Sequence, residues 1–271
     1  MFPKLISFGD FFLPTYGVLV ALAFLSALWV TARLARRSKY ISIDQDTVVN
    51  LVVYCALAGL LGAKLLMFVF DWDHFRQNPA DMFSLSTLRA AGVFQGGLVL
   101  AIATAFFYTK RNGLAWLPTF DLFAPGIAIG HAIGRLGCFA AGCCWGEKCD
   151  LPWAVTFHSQ DAELISGTPL GIPLHPSQLY ESVSNLILFW LLYRLYQREH
   201  KAGAIIGLYL VLGSAARFLI EFTRHHEQAL PFGLPLSLTQ WIALGLAMLG
   251  VAILIMFRGQ LAANSRTAAA H

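Results

Sequence analysis

Apolar runs of about 20 residues, separated by short polar or glycine-rich stretches, recur along almost the whole chain. Roughly 20 predominantly apolar residues are needed for a helix to cross the hydrocarbon core of a bilayer, so the pattern predicts a series of membrane-spanning helices. Seven are expected, at about 14–32, 47–70, 93–109, 119–139, 181–196, 203–222 and 238–257. The loops after the first, third, fifth and seventh spans hold Arg33, Arg36, Arg37, Lys39, Lys110, Arg111, Arg194, Arg198, Lys201, Arg258 and Arg266, which is 11 of the 19 Lys and Arg residues. Basic residues concentrate in cytoplasmic loops. The N-terminus, the 71–92 loop, the 140–180 segment and residues 223–237 are therefore expected outside, and the C-terminus inside. The fold class predicted is an all-α polytopic membrane protein with about seven transmembrane helices.

One domain over 1–271 is expected, because no linker or low-complexity block divides the chain. Residues 1–13 read as an interfacial arm on the outer leaflet, and 259–271 as a flexible tail. The first span does not read as a cleavable signal, since its basic cluster follows the apolar run. No internal repeat suggests a transporter built on inverted symmetry.

Composition agrees with this picture: 57% of the 271 residues are hydrophobic and 13% charged, about half the charged fraction of a soluble domain. The net charge of +4 does not point to nucleic acid, because the basic residues sit between the spans and set topology.

Against that background, three clusters stand out. The first is His131 and Arg135, four residues apart and so on one helical face. An arginine at the centre of a bilayer helix costs about 2.5–3.5 kcal/mol on insertion scales, so it usually faces a cavity or partner. Gly130, Gly134, Gly137 and Gly142 around it leave room for a helix or a headgroup. The bland alternative is a packing motif with a snorkelling arginine. The second cluster, His175 to Glu181, opens the fifth span: Pro176 suits a first turn, Ser177 or His175 can cap it, and Glu181 meets the helix dipole. The third, Arg217, Glu221 and Arg224, reads as a plus-minus-plus ladder on one face. It fits either structural ion pairing or a phosphate site, since guanidinium forks match phosphate oxygens. Of the cysteines, Cys55 reads as a core residue. Cys138, Cys143, Cys144 and Cys149 crowd an outward-facing stretch whose spacing does not match a zinc ribbon, and a disulfide within 143–149 is expected.

Taken together, these segments resemble the prolipoprotein diacylglyceryl transferase family. The resemblance runs through Tyr16-Gly17, Gly62-Ala63-Lys64, Gln95-Gly96-Gly97-Leu98, Asp121, Gly134-Arg135-Leu136-Gly137, His175 to Glu181, and Arg217-Phe218 through Glu221 to Arg224, in the family's order. It implies seven transmembrane helices with the N-terminus outside, in the bacterial cytoplasmic membrane. It implies transfer of a diacylglyceryl group from phosphatidylglycerol to the lipobox cysteine of a prolipoprotein signal peptide, with glycerol phosphate leaving. Neither a metal nor an organic cofactor is implied; the partners are membrane lipid and the precursor, not nucleic acid, and the chain is expected to act as a monomer. The resemblance gives Arg135 and Arg217 the catalytic role. Tyr16, Gln95, Gly96, Gly97, Gly134, Gly137, Gln178, Tyr180, Glu181, Glu221 and Arg224 then form the substrate site.

Four departures mark this chain as a divergent, cysteine-rich member. Gln95 stands where the family commonly has a histidine, and Lys64 where it has an arginine. Cys138 and Cys143 replace an asparagine and a glutamate, and Gly213 replaces a tyrosine found in some members. Gln95 cannot act as a base, so His131 is expected to accept the thiol proton in its place; the rival reading is that the arginine field alone suffices. Two other functions stay open at this stage: a paralogue that lipidates a different acceptor, and a catalytically silent lipid-binding protein.

Overall fold

The computed structural model describes residues 4–8, 11–38, 43–84, 87, 92–224 and 235–256. The expected flexible tail lies outside them, as does most of 223–237. The chain is mostly helical: α1 (Thr15–Arg37), α2 (Gln45–Phe70), α3 (Trp72–Gln77), α4 (Phe94–Arg111), α5 (Trp116–Ala141), α6 (Gln160–Ser166), α7 (Ser177–Tyr196), α8 (Ala204–Glu221) and α9 (Leu238–Met256). Two small antiparallel sheets accompany them, β1 (Lys4–Phe8) with β2 (Phe11–Pro14) and β3 (Val155–Thr156) with β4 (Pro173–Leu174). The N-terminal arm is thus a hairpin, and Lys4 Nζ lies 2.6 Å from Asp161.

Among the described residues, α1, α2, α5, α8 and α9 are long and apolar enough to cross a membrane. Helices α4 and α7 have the length, 18 and 20 residues, but not the apolarity. In α4, Gln95, Lys110 and Arg111 lower it; in α7, Ser177, Gln178, Glu181, Ser182 and Asn185 do, and all five of these α7 residues are buried. The spans expose large apolar side chains such as Leu60, Val69, Leu219 and Met248, as a lipid-facing surface requires.

The chain divides into two compact units, residues 42–119 and residues 1–41 with 120–271. In the first, Asp44 caps α2 by accepting from the Thr47 amide and hydroxyl, which holds its carboxyl below the usual range. Helices α2 and α4 meet through Gly59 and Gly62 facing Gly97 and Gly96. Such close backbone approach is open to small residues only. A methyl on Gly62 would fall onto the Gly96 carbonyl and 2.8 Å from Leu100 Cβ. Gly62→Ala is expected to cost about 1–3 kcal/mol, as overpacking does. Thermal unfolding in detergent checks this, with Gly245→Ala, which meets open space, as the neutral control.

In the second unit, α5 lies on α1 through Gly126 and Gly130, and α8 on α9 through Gly207 and Gly250. Asp121 of α5, 1% exposed, accepts from the amides of Gly203 (2.6 Å) and Ile206 (2.8 Å) at the start of α8. It thereby satisfies donors that a helix N-terminus leaves without an intrahelical partner. The contact also sets register. Arg135 lies 14 residues beyond Asp121 and Arg217 lies 14 beyond Gly203, about 21 Å along each helix, so one anchored end brings the two arginines to the same level.

Candidate active site

His131, Arg135 and Cys138 follow one another at spacings of four and three, a single stripe along α5. Arg135 Nε lies 2.7 Å from Glu181 Oε2 and 3.4 Å from His131 Nε2, and His131 Nε2 is 3.7 Å from the same carboxylate oxygen. On the other side of Glu181, Arg217 Nη1 is 3.3 Å and Arg224 Nη1 3.6 Å from Oε1. Arg217 Nη1 also reaches Glu221 Oε2 at 2.7 Å, one helical turn on. Ser237 donates to Glu221 Oε1 (2.8 Å) while it caps α9 by accepting from the Gln240 amide. Glu181 is 2% exposed, whereas the three arginines keep about a fifth of their side chains open, at 18%, 21% and 20%.

Among the described residues, three guanidinium groups therefore surround two carboxylates, with one positive charge in surplus. In an apolar surround such a set is tolerable only because every member is paired, and the surplus invites an anion. The expected ladder along α8 is half right. Arg217 and Glu221 pair as predicted, but α8 ends at Glu221 and Arg224, beyond the following turn, reaches across to Glu181 instead.

The reading of Glu181 as a dipole-neutralising residue is also corrected: it is the hub that joins three elements. Its helix begins earlier than expected, at Ser177, with Pro176 as the N-cap and no side-chain cap. Ser177 and His175 do not cap because they have other partners. The Ser177 hydroxyl donates to the Cys144 carbonyl (3.4 Å), and His175 Nδ1 lies 3.2 Å from the Tyr180 hydroxyl, which also accepts from Trp153 Nε1 (2.8 Å). Gln178 is fully buried and donates to the Cys143 carbonyl at 2.7 Å. Gln178 and Tyr180 thus have structural partners of their own, which hold the loop after α5 against the start of α7.

That loop carries the cysteines. Gly142 (φ +81°) and Cys144 (φ 61°) reverse the chain after α5, and Gly146 bridges to Arg224 and donates to the His175 carbonyl (3.0 Å). The expected disulfide within 143–149 is absent, since all of these cysteines are free. The reversal turns Cys143 and Cys144 back onto Cys138, so that the three sulfurs lie within 4.8 Å of one another. Cys149 instead runs on, buried, its amide on the Pro173 carbonyl. Hydrogen bonds from Cys138 and Cys143 hold the Cys144 thiol well below the ordinary range, with Arg224 and Arg135 adding their field. Sequence reasoning missed this cluster. The one available signal was that Cys138 continues the His131–Arg135 stripe.

Of the other expected site residues, Tyr16 is 39% exposed and packs its ring 3.3 Å from where a Gly137 side chain would stand, while Gly134 faces open space. Gln95, Gly96 and Gly97 belong to the 42–119 unit, where the two glycines serve the contact with α2. Lys64, in the same unit, donates to the Thr87 carbonyl at 2.5 Å. Between α7 and α8 runs an apolar crevice whose lining includes Asn185, Leu188, Leu191, Leu212, Gly213 and Ala216.

The family model described as prolipoprotein diacylglyceryl transferase matches residues 3–256. The similar proteins include phosphatidylglycerol–prolipoprotein diacylglyceryl transferases of three organisms. That of Finegoldia magna is 28% identical, over 91% of this chain and 92% of its own. That of Clostridium tetani is 30% identical, over 87% and 90%, and that of Bacillus cereus 30% identical, over 96% and 94%.

Proposed function

The chain belongs to the prolipoprotein diacylglyceryl transferase family, and on that premise we infer that it moves a diacylglyceryl group from phosphatidylglycerol to a cysteine thiol of a prolipoprotein. The carrying observation is the surplus positive charge of Arg135, Arg217 and Arg224 around Glu181, set at the end of apolar helices. The acceptor is the lipobox cysteine, the product a thioether, and glycerol phosphate leaves.

Chemistry assigns the roles. The bond that breaks joins a glyceryl carbon to a phosphate oxygen, so a phosphodiester becomes a phosphomonoester and gains negative charge in the transition state. Guanidinium groups fixed in a water-poor site stabilise that charge without reorganising. With its Nε on Glu181, Arg135 offers its terminal nitrogens to the phosphate, and Arg217 does the same from the facing helix. Glu181, Glu221 and Arg224 position those two. Gly134, with open space before it, admits the headgroup; Tyr16 and Gly137 border the acceptor side. Gln178 and Tyr180 shape the entry. One acyl chain lies in the crevice between α7 and α8, reached sideways from the bilayer.

The attacking sulfur needs to lose a proton, since a free thiol has a pKa of about 8.5. His131, one turn before Arg135, accepts it in place of the histidine that Gln95 replaces. His131→Gln is expected to lower the rate about 10²-fold, the usual contribution of a positioned base. A rate equal to wild type with a lipobox peptide would sink this assignment.

Helix ends support the topology. Basic residues close α1 (Arg36, Arg37), α4 (Lys110, Arg111) and α7 (Arg194). Arg33 and Arg194 also lie over the exposed rings of Trp29 and Trp190, at 5.5 and 5.0 Å, an interfacial arrangement. With α4 and α7 added to the five most apolar helices, seven spans cross the bacterial cytoplasmic membrane, N-terminus outside, in one monomeric transferase domain. Complementation tests the reading: this chain should rescue a strain depleted of its own transferase. Stable insertion without rescue would favour a different acceptor.

A further inference from the structure

Resting on the transferase reading, we propose that Cys138, Cys143 and Cys144 form a three-thiolate site for a thiophilic metal ion, zinc, whose fourth position takes the substrate cysteine sulfur.

The three sulfurs lie within 4.8 Å of one another. A zinc ion at its usual distance of about 2.3 Å from each sulfur, in tetrahedral geometry, sets sulfurs about 3.8 Å apart. Thiolate ligands select soft ions of this kind over magnesium or calcium. The backbone is committed to the convergence. Cys144 is the one non-glycine described residue with positive φ, and that left-handed turn points it back at Cys138 and Cys143. A conformation so disfavoured persists only where its surroundings impose it. Here they do: Gln178 holds the Cys143 carbonyl, Ser177 the Cys144 carbonyl, and Thr168 the Gly142 carbonyl (3.0 Å). Such outer contacts fix the orientation of metal ligands.

Three protein ligands with a fourth position open is the pattern of catalytic rather than structural zinc. A thiol that binds such an ion loses its proton outright, which is the step for which Gln95 supplies no base. The displaced proton passes to His131, on the same α5 stripe. The bound sulfur then attacks the glyceryl carbon, the sulfur–carbon bond forms, and the carbon–oxygen bond breaks. Its electron pair goes to the phosphate oxygen held by Arg135 and Arg217. Nothing is oxidised or reduced. The thioether, a neutral and weaker ligand, leaves the ion.

The test uses the full-length protein purified in detergent under reducing conditions and reconstituted with zinc or with cobalt(II). The expected result is one tightly held ion per chain by elemental analysis. It should fall at least tenfold in Cys138→Ser, Cys143→Ser and Cys144→Ser, and not in Cys55→Ser. The thiolate-to-cobalt absorption should gain the intensity of a fourth thiolate when a lipobox peptide is added, and not with a peptide whose cysteine is serine. No bound ion, a disulfide among the three cysteines in protein extracted straight from membranes, or binding without the peptide response would each overturn the proposal. These readouts need no turnover. Transfer that survives complete removal of the ion would likewise reject the metal while leaving the transferase reading intact; failure of metal-loaded wild type to transfer would reject that reading instead.

Discussion

Arg135→Ala is expected to slow diacylglyceryl transfer by about 10³-fold, the loss that follows removal of one preorganised donor from a developing anion. Arg135 stands on α5 with Nε 2.7 Å from Glu181, which aims the rest of the fork. Its counterpart Arg217 is brought level by the Asp121 anchor. Arg135→Lys is informative because it keeps the charge but not the planar fork that matches two phosphate oxygens. It should recover only part of the rate. Neither substitution should unfold the protein, since Glu181 keeps Arg217 and Arg224 as partners. Initial rates with a lipobox peptide, normalised to protein running as a single peak in detergent, check both.

Glu181→Ala has a different consequence: it acts on stability and activity together. Removing one partner of a buried ion pair costs about 3–5 kcal/mol, because the charge left behind is uncompensated. Here three guanidinium groups lose their shared carboxylate, and among the described residues Glu221, bound to Arg217, remains. Glu181→Ala should therefore lose transfer altogether and unfold at a markedly lower temperature. Glu181→Gln, which keeps the shape, should fold better than the alanine variant and still be inactive, because repulsion splays Arg135 from Arg217. Thermal unfolding in detergent together with the transfer rate separates the two effects. An unchanged unfolding temperature in Glu181→Ala would refute the hub role.

Much of the membrane architecture was legible in the sequence because hydrocarbon imposes a length and a polarity on each span. The helices that the sequence placed at 14–32, 47–70, 203–222 and 238–257 are α1, α2, α8 and α9 within a few residues. The arginines announced themselves by their cost. What stayed hidden was pairing across elements. Glu181 read as a local dipole partner because sequence shows spacing along one helix and not which helix faces it. Arg224 read as the third rung of a ladder for the same reason, although α8 stops before it. The cysteines misled through chain distance: Cys143 to Cys149 is a short loop suited to a disulfide. A left-handed residue at Cys144, which no side-chain pattern signals, folds that loop back onto Cys138.

The most direct measurement is of products. The purified protein, reconstituted in vesicles containing phosphatidylglycerol, is given a peptide with a lipobox cysteine, and peptide mass and released glycerol phosphate are followed together. The peptide is expected to gain one diacylglyceryl group on sulfur, with one glycerol phosphate released per thiol lost, and Arg135→Ala to slow both by about 10³-fold. Thioether formation undiminished in Arg135→Ala, or a folded wild-type protein that leaves the peptide unmodified, would contradict this expectation.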